Sequence, residues 1–314
     1  MRSATPLRRK TVVALLTAVT VGAGAGFSPA ASASAPESVS AVTNFGYKDS
    51  YGQERNKSVS VHVLKRLFED GDLSVVDRYI RPDYIQHNPN AADGTEPLKE
   101  FARTVLPQFP DLKYDVKRVM AQGDMVLVHS NVVFTPGTRG QAVIDMYRFD
   151  KQGMIVEHWD TLQDVPATSV NGNDMFGTVS SPRTNNPGPS LLTASSQRIA
   201  TGYFDRLMAD KDPGAVEYLA PEYHQHNPTI PSGSAGLREQ FASFFEQFPD
   251  LIVERRSVVT EGDLVAIHAH YRLNASDRGA SVFDIFRVRN GKIVEHWDVS
   301  QEVPETSAND NTMF

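Results

Sequence analysis

The chain of 314 residues contains no cysteine. Disulfide bonds, thiolate nucleophiles and cysteine metal sites are therefore excluded, and the protein must fold without covalent cross-links. Tryptophan is also scarce, since it occurs twice, as Trp159 and Trp297. Beyond the first 35 residues no stretch is apolar enough to span a bilayer, so the sequence predicts no transmembrane helix in the body of the chain.

Acidic residues are absent before Glu37, although this N-terminal segment holds four basic residues, Arg2, Arg8, Arg9 and Lys10. An apolar stretch rich in small residues follows at 11–27, and two overlapping small-x-small cleavage sites occur at 31–35. This order of features is typical of a signal peptide. We therefore predict a cleaved leader over residues 1–35 and a secreted protein, with the Sec and twin-arginine routes both open. A membrane anchor is the alternative, which the short apolar stretch disfavours.

The chain without its basic leader residues carries a formal charge of −11, because 27 basic residues then stand against 38 acidic ones. Such an acidic chain is a poor candidate for binding nucleic acid or an anionic membrane, so we expect neither as a partner. Hydrophobic residues make up 40% of the sequence, which is enough to build a core.

Four motifs occur twice with an offset of 139 and then 138 residues, the clearest being Tyr-x-Gln-His-Asn-Pro at 84–89 and 223–228 and Glu-His-Trp-Asp at 157–160 and 295–298. A period of this length indicates a duplicated domain rather than a solenoid. The segment between the copies is rich in Asn, Ser, Pro and Gly, which is typical of a linker. The predicted organisation is a flexible segment (36–56), a first domain (57–166), a linker (167–190) and a second domain (191–314).

Each copy shows the same order of elements. In the first copy, helical spacing of apolar residues at 59–68, 73–80 and 96–108 precedes four β-rich runs at about 113–121, 125–135, 141–150 and 154–165. Helices followed by an antiparallel meander predict an α+β fold. We expect two cone-shaped α+β barrel domains, each with helices packed on a curved, mainly antiparallel sheet.

Ionisable residues are set into the apolar faces of these predicted strands. Alternation places His158 and Asp160 on one face of their strand and Trp159 on the other, while Asp145 and His129 each share a face with apolar neighbours. An ionisable group on an apolar face is either a hydrogen-bonded structural group or part of a site. The structural alternatives are turn capping by His87, core histidines at His129 and His158, and an ion pair of Asp145 with its strand neighbour Arg148.

The second copy repeats these groups. We expect one set of residues to line each cavity, with Asp160/Asp298, Asp145/Asp284 and His129/His268 as catalytic candidates and His87/His226, His158/His296 and Tyr147/Phe286 as substrate-binding candidates.

Together these motifs resemble the SnoaL-like group of the nuclear-transport-factor-2-like superfamily, some members of which are described as polyketide cyclases or aldol-condensation enzymes. The resemblance covers about 57–176 and 190–314, including a Met175-Phe176 pair near the end of the first copy. It implies a cone-shaped fold and an Asp acid/base in the pocket, at Asp160 or Asp298, without metal or cofactor. The strand 144–149 also resembles one of ketosteroid isomerase, whose Asp hydrogen-bonds an enolate oxygen. The isomerase's early catalytic Tyr and Asp base have no match here.

Three functions remain open at this point. The first is a cofactor-free acid/base enzyme of aldol, cyclase or isomerase type acting on a small carbonyl or aromatic compound. The second is a non-catalytic binding module, because the fold does not determine the function. The third is a metal site formed by His87, His129, His158 and an Asp. Alternation gives the last strand an apolar outer face, with Ile155, Trp159 and Val165 in the first copy and Ile293, Trp297 and Val299 in the second. This face further predicts that the two domains pack sheet to sheet as an intramolecular pseudo-dimer.

Overall fold

The computed structural model describes residues 50–180 and 190–314, so the predicted signal peptide lies outside the described residues. The first copy consists, in order, of α1 (Ser50–Leu64, continued by a π-helical turn at Lys65–Glu69), α2 (Ser74–Tyr79), β1 (Ile80–Gln86), α3 (Thr95–Val105, continued by a 3₁₀ turn at Leu106–Gln108), β2 (Lys113–Gln122), β3 (Met125–Val133), β4 (Gln141–Phe149) and β5 (Ile155–Asp164).

The second copy repeats this order. It consists of α4 (Ser190–Phe204, continued by a π-helical turn at Asp205–Ala209), a 3₁₀ turn (Pro213–Tyr218), β6 (Leu219–Gln225), α5 (Leu237–Gln247), β7 (Ile252–Glu261), β8 (Leu264–Arg272), β9 (Ala280–Arg289) and β10 (Lys292–Glu302). Among the described residues no helix is both long enough and apolar enough to cross a membrane.

Each copy contains one five-stranded sheet, in the order β1-β5-β4-β3-β2 and β6-β10-β9-β8-β7. Strands β2 to β5 form the antiparallel meander that the sequence predicts, and the α+β fold class is confirmed. Strand β1 was not predicted. It pairs in parallel with β5 and ends at Gln86, in the first of the repeated motifs.

Helix α1 begins earlier than the predicted domain. Residues 50–56, expected to belong to a flexible segment, form its first turns instead. The guanidinium of Arg55 donates a 2.9 Å hydrogen bond to the carbonyl of Gly153, in the β4–β5 turn, and Asn56 is buried. These contacts fix the start of the helix on the sheet, which apolar spacing within the helix does not reveal.

Both faces of each sheet are buried. In the first copy one face packs on the helices, where Val126, Val128 and Tyr147 meet Val63 and Leu67. The other face packs on the second sheet, in a shared apolar cluster of Met120, Leu127, Ala142, Ile144, Met146, Trp159 and Met175 with Val259, Ala266, Phe283, Ile285, Trp297 and Val299.

Two reciprocal pairs of hydrogen bonds join the sheets. The side-chain oxygen of Gln163 accepts from the backbone of Ser300 at 3.0 Å, and Gln301 accepts from the backbone of Leu162 at 2.9 Å. At the other end, Gln122 accepts from Thr260 and Glu261 from Ala121 in the same exchanged manner. Residue i of one copy contacting residue j of the other, and the reverse, is the signature of an isologous two-fold contact.

A β-bulge changes one face assignment. Alternation places Ile155 and Ile293 beside the tryptophans on the outer face, but both belong to the cores under the helices. The register shifts by one residue between Ile155 and Glu157, and likewise between Ile293 and Glu295. One extra residue reverses the side-chain alternation before the bulge, so this part of the prediction is wrong.

Candidate functional site

The site of the first domain lies on the inner face of the sheet, the face that packs on the helices, where β4 and β5 run side by side. Asp145 is the cross-strand neighbour of Asp160, and one ligand atom from each of Asp145, His158 and Asp160 falls within 4.8 Å of the other two. The Nε2 atom of His158 lies 3.1 Å from Oδ1 of Asp145. All three residues are buried, as the sequence predicts for this face.

Two side chains at the end of β1 hold this cluster. The Gln86 amide donates to the Tyr84 hydroxyl, so its oxygen faces the site, where it lies 2.9 Å from Nδ1 of His158. Because this oxygen can only accept, Nδ1 carries a proton and donates. The Asn88 amide donates a 2.6 Å hydrogen bond to Oδ2 of Asp160. The other oxygen, Oδ1, is buried and has no hydrogen-bond partner.

Burial and neighbouring charges shift the pKa values of Asp160 and His158. Burial raises the pKa of Asp160 to about 6, against the opposing charge of His158, with the nearby Asp145 adding to the rise. Burial alone would lower the pKa of His158, but the hydrogen bond to Asp145 and the charge of Asp160 outweigh it and leave that pKa above its ordinary value. A carboxyl that titrates near neutrality can both take up and return a proton.

The second domain repeats this arrangement at similar distances. His296 lies 2.9 Å from Asp284 and 2.8 Å from the oxygen of Gln225, and Asn227 donates to Asp298 at 2.6 Å. Burial raises the pKa of Asp298, too, to about 6. The agreement between the two copies shows that one sequence pattern builds one geometry.

One hydrogen bond distinguishes the copies. In the second domain the Tyr271 hydroxyl donates to Oδ2 of Asp284 at 3.1 Å. The equivalent position in the first domain is Val132, and there Oδ2 of Asp145 is buried without a partner. The first site therefore presents one more unpartnered carboxylate oxygen than the second.

A cavity of about 70 Å³ lies beside the cluster of the second domain. Its walls are mostly apolar and aromatic, and the polar groups of the site close one side; the lining includes Tyr203, Phe204, Phe241, Phe244, Tyr271 and Phe286. This volume holds about two water-sized groups, so a larger ligand requires lining side chains to move. Phe286 lines this cavity as predicted, while in the first domain Tyr147 stacks on His158 with ring centroids 4.8 Å apart.

His129 and His268 do not lie at the two Asp–His–Asp clusters. Both point from the outer face of their sheet: His129 bonds Arg118 and packs on Phe176, and His268 stacks on Phe283 and bonds Ser281. Alternation correctly grouped His129 with Leu127, but that face contacts the second sheet. Their predicted placement in the cavity is therefore wrong.

His87 and His226 also lie away from these clusters. The Nε2 atom of His87 donates to Glu157 at 2.9 Å, and its ring stacks on Trp159 with centroids 4.7 Å apart. His226 repeats these contacts with Glu295 and Trp297. Their predicted place with the clustered residues is therefore wrong: the neighbouring Gln and Asn of the same motif point toward the cluster, and the histidine between them points away from it.

A metal site of His87, His129 and His158 is not formed, because the structure distributes these histidines over both faces of the sheet. The triplet that does come together is Asp145, His158 and Asp160. Both ring nitrogens of His158 already bind protein atoms. A metal ion would have to displace Gln86 or Asp145, so the donor set does not fit a resident metal as it stands.

The raised pKa of Asp160 has a consequence for stability. The pKa of Asp160 is about 6 in the folded chain, above the roughly 3.9 of an unfolded Asp. Folding therefore gains stability from the protonated carboxyl below about pH 3.9, and this stabilisation is lost as the pH rises through about 6. Asp160→Asn cannot ionise and is expected to gain about 1–3 kcal/mol in free energy of unfolding at pH 8 and nothing at pH 4.

Urea unfolding at the two pH values measures this difference. Asp164→Asn, on the exposed end of the same strand, is the matched control and should match the parent protein at both. An Asp160→Asn variant that is less stable than the parent at pH 8 would contradict the expectation.

Comparison with known proteins agrees with this architecture. A model of the SnoaL-like domain matches the chain twice, at residues 62–158 and 200–296. A curated protein named "Probable cyclase otaY", from Aspergillus carbonarius, is 30% identical over 98 residues, which cover 30% of this chain and 77% of that protein.

Two solved structures illustrate the structural likeness. A nuclear-transport-factor-2-like protein of unknown function from Mesorhizobium loti is 22% identical, covers 36% of this chain and 96% of its own, and gives a TM-score of 0.31. A SnoaL-like protein of unknown function from Burkholderia thailandensis is 13% identical, covers 35% of this chain and 96% of its own, and gives a TM-score of 0.30.

Proposed function

Because this chain belongs to the SnoaL-like family, we propose that it is a cofactor-free acid/base enzyme that enolises a small carbonyl compound, in an aldol, cyclisation or isomerisation reaction. The observation that carries this proposal is the buried carboxyl of Asp160, with a pKa of about 6 and one oxygen without a partner. Asp298 offers the same group in the second domain.

The reaction begins with proton removal. The free Oδ1 of ionised Asp160 takes a proton from the carbon next to the substrate carbonyl. The electron pair of that C–H bond forms the C=C bond of the enolate, and the π pair of the carbonyl moves onto its oxygen. The positive charge of protonated His158 stabilises the resulting enolate. In an aldol step the enolate carbon attacks a second carbonyl, and Asp160 returns its proton to the new alkoxide. In an isomerisation the proton returns to another carbon.

The lining of the second cavity supports an aromatic carbonyl compound as substrate class. Seven phenylalanine and tyrosine side chains face that space, and flat rings stack favourably on such walls. The same lining also supports the alternative of a non-catalytic binding module, in which Asp298 and His296 only hydrogen-bond a ligand carbonyl. The two functions differ in whether bound carbonyl compounds exchange their α-protons.

The pH dependence of this exchange tests the enzymatic function. Because Asp160 and Asp298 must be ionised to act as bases, kcat/KM is expected to rise tenfold per pH unit below about 6 and to level off above it. At higher pH it should fall again, when His158 and His296 lose their protons. Deuterium exchange into small aryl ketones in D₂O, followed by proton NMR, measures it. Binding of the ketones without exchange at any pH would favour the binding module.

Export and domain pairing complete the proposal. We propose that the leader over residues 1–35 is removed and that the mature protein is secreted. The intact mass of protein from culture medium tests this, and a mass that includes the leader would contradict it.

We also propose that the domains act as an intramolecular pseudo-dimer. The reciprocal hydrogen bonds of Gln163 and Gln301 support this pairing.

A further inference from the structure

Two segments cross from one domain to the other. The first tail, residues 167–180, follows β5 and binds the second domain. The second tail, residues 303–314, follows β10 and binds the first domain. The whole of the first tail lies in the predicted linker, yet backbone bonds already join Val170 to Pro228 and Ala308 to Pro89. The exchange is therefore reciprocal and follows the same two-fold relation as the sheets.

Asparagine side chains make the main contacts of the second tail. The amide of Asn309 donates to the carbonyls of Asn88 and Ala91, at 2.8 and 2.7 Å. The amide of Asn311 donates to the carbonyl of Gln86 at 3.0 Å and to the carboxylate of Asp93 at 2.9 Å. Each NH₂ group thus uses both hydrogens to bridge two points of the loop that follows β1.

The first tail repeats this pattern on the other domain. Asn171 donates to the carbonyls of Asn227 and Ile230, at 2.6 and 2.8 Å, and Asn173 donates to the carbonyl of Gln225 at 3.0 Å. The two asparagines occupy equivalent places in both tails, because 171 and 173 correspond to 309 and 311 by the offset of 138 residues.

The loops that the tails bind also hold the acid/base pairs, which are His158 with Asp160 in the first domain and His296 with Asp298 in the second. Gln86 and Asn88, whose carbonyls the second tail binds, are the residues whose side chains bind His158 and Asp160. Between them, Nδ1 of His87 donates to the carbonyl of Thr312 in the same tail. Asn88 therefore connects the two domains directly: its backbone carbonyl accepts from the tail of the second domain, and its side-chain amide donates to the carboxylate of the first.

We propose that each acid/base site is positioned by the tail of the opposite domain. Asn309 and Asn311 are positioning residues for the site of the first domain, and Asn171 and Asn173 for the site of the second. This inference rests on the proposed function in giving Asp160 and Asp298 their acid/base role. The positioning itself can be measured without any substrate.

Hydrogen exchange followed by mass spectrometry tests the crossed dependence. In an Asn309→Ala/Asn311→Ala variant, amides of residues 84–94 should exchange at least tenfold faster, because four hydrogen bonds to this loop are lost. Residues 223–233 should be unchanged. The matched variant Asn171→Ala/Asn173→Ala should show the reverse. Faster exchange in the loop of the tail's own domain, or in neither loop, would overturn the proposal. The single variant Asn311→Ala repeats the test if a double variant unfolds.

A second measurement separates positioning from packing. Asn311→Asp keeps the side-chain shape but removes the two N–H donors and places a negative charge next to Asp93. If the amide acts by donating hydrogen bonds, this variant should fail like Asn311→Ala, and a parent-like loop would overturn the proposal.

The ionisation of the site gives a readout that loop mobility alone would not change. A loosened Asn88 donates less to Asp160, so carbon NMR should show the pKa of Asp160 rising in the Asn309→Ala/Asn311→Ala variant while that of Asp298 stays the same. An unchanged pKa of Asp160 would overturn the positioning role. If enolisation is never observed but both crossed effects appear, the proposed function fails and this inference stands.

Discussion

Replacing Asp160 and Asp298 together by Asn is expected to lower kcat/KM for enolisation by 10²- to 10⁴-fold, the usual contribution of a positioned general base. The Asn side chain fills the same space, and its oxygen can still accept the hydrogen bond from Asn88 or Asn227. It has no lone pair basic enough to take a proton from carbon. Proton exchange into an aryl ketone measures the loss, and the circular dichroism spectrum should not change.

The single variants divide this effect between the domains. Asp160→Asn should leave the activity of the second site and Asp298→Asn that of the first, so each serves as the control for the other. Asp164→Asn, on the exposed end of β5, should retain full activity. Turnover at the parent rate in the double variant would place the chemistry on other residues or exclude it.

Truncating Trp297 to Ala is expected to cost about 3–5 kcal/mol of unfolding free energy, the range for a fully buried large aromatic. No part of this side chain is exposed; its ring packs between the sheets, and its Nε1 donates to the carbonyl of Gly177 at 2.7 Å. The loss combines a cavity in the shared core with the missing hydrogen bond from Nε1 to the first tail, where the Gly177 carbonyl keeps only its bond from Arg118.

Urea unfolding measures this cost, and Trp297→Phe serves as the matched control. Phe retains much of the apolar volume but not the hydrogen bond, so it should lose less than the Ala variant. Truncating the exposed Leu191, in α4, should cost less than 1 kcal/mol. A Trp297→Ala variant within 1 kcal/mol of the parent would show that the contact between the sheets contributes little.

The order of helices and the antiparallel strands could be predicted from periodicity, because each has a buried face with its own spacing. Strand β1 could not be predicted in this way. It is short, contains Pro82, and is defined by its parallel partner β5, which lies about 70 residues away in the chain. Apolar spacing within a segment carries no information about such a partner.

The site shows a similar division. The alternation of β5 identified His158 and Asp160, but Gln86 and Asn88 were missed although they stand in the repeated motif. Had that motif been treated as a strand, Tyr84, Gln86 and Asn88 would have shared a face and His87 would have pointed away. For His129 no such signal exists, because β3 is apolar on both faces and alternation does not say which face meets the helices.

The second sheet occupies the place that a second subunit would take in a dimer, and this changes what a single mutation can do. In a homodimer the two positions related by the two-fold axis always carry the same residue, because one codon encodes both. Here each position has its own codon. Arg118 is a residue that differs between the two copies. Its buried guanidinium stacks 3.8 Å above the ring of Trp297, while the equivalent residue of the second copy is Ser257.

Burial lowers the pKa of Arg118 to about 9, which reflects the cost of holding a cation there. A homodimer with this arginine would bear that cost twice, and the fused chain bears it once. Tyr271, whose equivalent in the first copy is Val132, is a second difference of this kind, located at the candidate site itself. Selection can therefore change one of the two candidate sites without changing the other, which no pair of identical subunits permits.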